Sequence, residues 1–101
     1  MTRGTTPTIV LKLKTELQMK EMKQIWVTLQ NLVHEKTFTK EMLQILTDNS
    51  IAIQLSQEDT LKFVEGTIEV QVRILTMSDK AYATNIKTLS IKKILKEGVI
   101  T

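Results

Sequence analysis

Apolar and polar positions alternate along much of this chain. From Thr67 to Thr76, Ile68, Val70, Val72 and Ile74 are separated by Glu69, Gln71 and Arg73. That is the period of a strand with one face on a core and the other in water. The same period recurs over residues 8–13 with Ile9, Leu11 and Leu13, over residues 24–30 with Ile25, Val27 and Leu29, and over residues 51–55 with Ile51, Ile53 and Leu55. Asn31 and its neighbours offer turn chemistry, so residues 24–30 and 33–39 are expected to pair as a hairpin. Residues 39–46 are ambiguous, because Met42, Leu43, Ile45 and Leu46 fit a helical face about as well as a strand edge; an irregular strand is the expectation.

Punctuation supports this reading. The tetrapeptides TDNS (residues 47–50) and MSDK (residues 77–80) are turn signals. Ser56, followed three residues later by Asp59, resembles a capping box with Asp in place of Glu. It predicts one short helical turn near residues 57–63, with Leu61 and Phe63 plugging an end of the core. Residues 15–23 form a polar connection with room for a short helix, its apolar contacts being Leu17, Met19 and Met22. In the last third, Tyr82, Thr84 and Ile86 share one phase and Leu89 and Ile91 the other, which predicts a β-bulge near Lys87 or Thr88. Short strands with turns at intervals of roughly 8–12 residues indicate an all-β fold, an antiparallel immunoglobulin-like β-sandwich. The Cys–Trp–Cys signature of antibody domains is missing, so this expectation rests on patterning. A flexible leader, residues 1–7, is expected to precede a single domain over residues 8–101.

Composition narrows the function classes. With 101 residues, 42% hydrophobic and 25% charged, the chain has the proportions of one ordinary globular domain. No apolar run approaches the roughly 20 residues that span a bilayer. The start, MTRGTTPT, lacks the apolar core of a secretory signal, so synthesis is expected to finish in a cytoplasm. Cysteine is absent and His34 is the sole histidine, which removes disulfides, thiolate metal sites and thiol nucleophiles and makes a metal centre improbable. The formal net charge is +3, yet the signs are interspersed: Lys12 and Lys14 stand near Glu16, and Lys96 beside Glu97. That spacing is a solvated mixed face, and nucleic acid is disfavoured as a partner.

No catalytic constellation emerges. Glu58 and Asp59 are adjacent and read as charges at a helix start. Ser56 and Ser90 have no evident base, and His34 reads as a surface or half-buried residue on a strand. Gly4, Gly66 and Gly98 are isolated, so there is no phosphate-cradling loop. The expectation is a protein that is not an enzyme and takes no cofactor, metal or small-molecule substrate. Binding is better supported. Trp26 falls on the face opposite Ile25 and Val27, and Val10 and Leu75 take outward phases on their own strands; together they form a candidate interface, since tryptophan is enriched in hot spots. The competing expectation is that residues 15–23 cover Trp26 as a second small core. Val99 and Ile100, beyond Gly98, complete the candidate interface: they either fold back on a sheet edge or dock on a neighbour by strand addition.

The stretches TPTIVLKL, LSQEDTLKF, TIEVQVRILT with its turn MSDKAYATN, and the closing IKKILKEGVI resemble small proteins encoded among the tail and structural genes of bacteriophages and prophages of Gram-positive bacteria. The likeness runs from Thr6 to Ile100, and its motifs are structural. The chain is also similar in architecture to the N-terminal immunoglobulin-like domain of baseplate upper proteins, although it carries no long receptor-binding extension. The resemblance implies a virion structural protein, tail- or baseplate-associated, assembled in the host bacterial cytoplasm. It would bind other phage structural proteins and, in a symmetric particle, further copies of itself. The alternatives are a capsid decoration or head–tail joining protein and, from another class, a nucleic-acid-binding accessory protein of a mobile element.

Overall fold

Two antiparallel sheets face each other in the computed structural model, which describes residues 1–14, 16–47 and 49–101. Along the chain the strands are β1 (Thr8–Lys12), β2 (Met22–Gln30), β3 (Glu35–Phe38), β4 (Gln44–Thr47), β5 (Ser50–Gln54), β6 (Gly66–Thr76), β7 (Ala81–Ala83) and β8 (Lys87–Ile91). The smaller sheet has the order β1-β5-β4, and the larger β3-β2-β6-β7 with β8 also paired to β6. In immunoglobulin lettering these are B-E-D and C′-C-F-G. The sandwich is thus immunoglobulin-like, with the first strand of that fold missing among the described residues and the last one divided into β7 and β8.

The alternating residues account for the core. Ile25, Val27 and Leu29 of β2 and Ile68, Val70, Val72 and Ile74 of β6 pack with Ile51, Ile53 and Leu55. Full burial of such a side chain contributes about 1.5–3 kcal/mol. The helix α1 (Gln57–Lys62) begins as its sequence indicates: Ser56 Oγ accepts from Asp59 N at 3.1 Å, and Asp59 Oδ2 accepts from Ser56 N at 3.0 Å. Phe63, directly after α1, is fully buried.

Two expectations are revised. Residues 39–46 are part 3-10 turn (Lys40–Met42) and part strand, β4, all of whose residues stay exposed because it is a sheet edge. The phase shift in the last strand is real but earlier than expected. Ala83 pairs with Arg73 and Lys87 with Val70, so four steps oppose three and the one extra residue falls within residues 84–86. The TDNS turn is seen through Thr47 and Asn49, with Thr47 pairing with Ser50; Asp48 lies outside the described residues, as does Thr15 of the 15–23 connection.

Residues 1–7 are tied to the sandwich by hydrogen bonds. Lys92 N donates to Met1 O at 2.8 Å and Arg3 N to Lys92 O at 2.9 Å, so Met1–Arg3 runs parallel to the end of β8. Thr60 Oγ1 donates to Thr5 O at 2.8 Å, and Leu55 N to Pro7 O at 3.0 Å. A polar leader has few apolar contacts of its own, but its backbone groups find partners that local sequence does not show.

Candidate functional site

Antiparallel register assembles a small surface hollow on the outer face of the larger sheet. Trp26 pairs with Arg73 and Gln24 with Leu75, and directly opposed residues share a face. Leu75 also pairs with Ala81. These side chains, with Ile74 beneath, line a hollow of about 140 Å³. Trp26 keeps 44% of its surface in solvent. The Arg73 guanidinium lies 5.6 Å from the centre of its ring, a cation–π arrangement between paired residues of β2 and β6.

The connection over residues 15–23 does not cover Trp26. Its 3-10 turn (Met19–Glu21) leads into β2, Met22 is fully buried, and Leu17 and Met19 pack on the main core. Of the two expectations for the tryptophan, the exposed one describes the structure.

The other expected interface residues do not join it. Val10, 57% exposed, stands on the smaller sheet, paired with Ala52. Val99 and Ile100 lie by α1, where Gln57 Oε1 accepts from Ile100 N at 2.8 Å and Gln57 Nε2 donates to Ile100 O at 3.1 Å. The tail therefore folds back on its own chain, against a side-chain amide and not along a sheet edge. Among the five expected residues, only Trp26 and Leu75 share a site. Gln24, Arg73 and Ala81 complete it; only the register places them there, and composition gives no sign of it.

Residues weighed for chemistry have structural neighbours. His34 meets the Phe63 ring edge-on, with centroids 4.9 Å apart. Its Nε2 is buried without a hydrogen-bond partner among the described residues. Asp59 is occupied by the α1 cap and lies 3.9 Å from Lys36 Nζ. Among the described residues, no group of three His, Asp or Glu side chains is arranged to hold a metal ion. No helix there is long and apolar enough to cross a membrane. The Glu41 carboxyl is held below the usual range first by its own backbone amide, then by the Thr39 hydroxyl, with desolvation opposing them and the charge of Lys40 adding to them.

Comparison with protein-family models, with curated proteins and with solved structures finds no match.

Proposed function

We propose that this domain is a non-enzymatic structural protein of a bacteriophage particle, tail- or baseplate-associated, working by protein–protein contact. The observation that carries the reading is the half-exposed Trp26 held by Arg73 beside Leu75. An aromatic anchor, an arginine and an adjoining apolar hollow are the residue types that concentrate binding energy at protein interfaces. The sequence resemblance to tail-gene products supplies the particle. Many copies in a closed ring would multiply the area a small domain offers.

Immunogold electron microscopy of purified virions of the encoding phage tests the reading. Label at the tail tip is the expected result. Label over the capsid would favour the decoration or joining role, and particles without label would overturn the virion reading. A Trp26→Ala chain that folds but is absent from particles would assign the contact to this face.

A further inference from the structure

The seam between the two sheets is closed on one side of the sandwich only in part. At the α1 end, Met1–Arg3 lies along Lys92 and seals it. Further along, between β1 and the β7–β8 strand, it opens into a groove of about 320 Å³. The floor is core: Leu13, Val70, Val72 and Ile74 line it, each no more than 5% exposed. The rim carries Lys12, Lys14 and Lys87, and no carboxylate appears among the described lining residues.

One wall of this groove, Leu11–Lys14, continues the outer edge of β1. Pro7 O and Leu13 N both bond across to β5 and its continuation. Alternation then directs the backbone groups of Ile9 and Leu11 to β5 as well, and those of Thr8, Val10 and Lys12 away from it. Among the described residues β1 pairs with β5 alone, over an unbroken five-residue register. In the immunoglobulin arrangement the first strand, not seen among the described residues, pairs with the strand that β1 represents.

We propose that this seam receives an extended segment of another protein, alternating aliphatic and acidic residues, which pairs with β1 as the missing first strand. The main chain would bond to Thr8, Val10 and Lys12, the aliphatic side chains would enter the groove, and the acidic ones would meet the three lysines. Affinity from main-chain bonds and specificity from alternate side chains is the logic of strand addition. The incoming strand runs antiparallel to β1, the direction Met1–Arg3 already takes beside β8. This site is separate from the Trp26 hollow, and the proposal does not depend on the virion reading.

Amide hydrogen exchange of the full chain, followed by NMR, tests it with two blocked synthetic octapeptides. One is EVEVEIEV; the other has lysine at each glutamate position. The acidic peptide is expected to slow exchange at Val10 and Lys12 at least tenfold, and the basic one to leave it unchanged. In the triple variant Lys12→Glu, Lys14→Glu, Lys87→Glu, which leaves the apolar floor intact, the preference is expected to reverse. Val10→Pro removes an outward N–H that β5 does not use, a change edge strands tolerate, and is expected to abolish the protection. No protection with either peptide, equal protection by both, or protection confined to another strand would overturn the proposal.

Discussion

Arg3 Nε donates to the carbonyl oxygen of Phe63 at 2.7 Å, across 60 positions of sequence. A second bond runs from its Nη2 to Leu61 O at 2.7 Å, and Nη1 pairs with Glu97. These carbonyls lie where α1 ends, and helix-terminal carbonyls need partners. Arg3→Ala is expected to lower stability by about 1.5–3 kcal/mol, the range for hydrogen bonds to a charged group. Urea unfolding checks the magnitude. Faster exchange of the Lys92 amide in the variant would show that Met1–Arg3 has come loose from β8.

Phe63 and Leu32 make a contrasting pair. Phe63 is fully buried and Leu32 is 98% exposed. Phe63→Ala is expected to cost about 3–5 kcal/mol through lost burial and the cavity left behind. Leu32→Ala is expected to stay within about 0.5 kcal/mol of the parent. Equal midpoints in a denaturant titration would contradict the packing described for the α1 end.

Trp26→Ala separates stability from binding. Removing an exposed cation–π pair is expected to cost about 0.5–1 kcal/mol. If the hollow is an anchor, the same change weakens partner or self-association by about 2 kcal/mol or more. Light scattering over a concentration series, for parent and variant, reads the second quantity, and circular dichroism confirms that the sheets persist.

What the sequence disclosed follows from how local each feature is. The alternation in β6 and the Ser56–Asp59 cap need only neighbouring residues, and both stand in the structure as read. Residues 39–46 were ambiguous because Met42, Ile45 and Leu46 remain exposed at an edge, so no buried face selects one period. The Trp26 hollow was half legible: alternation places the indole outward, but Arg73 reaches it only through the β2–β6 register. The Arg3 contacts were invisible in advance, since their partners are carbonyls that any residue carries. The groove beside β1 was not legible because alternation marks which face of a strand is buried and says nothing of what pairs with its edge.

Gln57 offers a local test at the other end of the chain. Its amide forms both bonds to the Ile100 backbone. Gln57→Ala is expected to release residues 97–101, detectable as fast amide exchange or early proteolysis there. The cost to global stability should be no more than about 1 kcal/mol, as for a typical net hydrogen bond. A tail that stays protected would mean that Val99 and Ile100 hold it by packing.

Glu41 carries the pH prediction. Its carboxyl is held below the ordinary range first by its own backbone amide and then by Thr39. Because folding lowers this pKa, the associated stabilisation is present above the ordinary carboxylate range and is lost as pH falls through the lowered folded value. Carboxyl-carbon NMR should place the Glu41 midpoint below the ordinary glutamate value. Thr39→Val should move it upward; a midpoint unchanged by that substitution would remove the hydroxyl as a cause.

The extra residue within 84–86 has one more effect. Open sheet edges are templates on which further chains polymerise. β3 is four residues long, β4 shifts register between Ile45 and Thr47, and the β7–β8 edge is divided in mid-length. A copy approaching that divided edge meets two short ladders out of phase with each other and can add along neither for long. The divided strand therefore offers a second copy no long continuous edge, whereas β1 keeps an unbroken five-residue register.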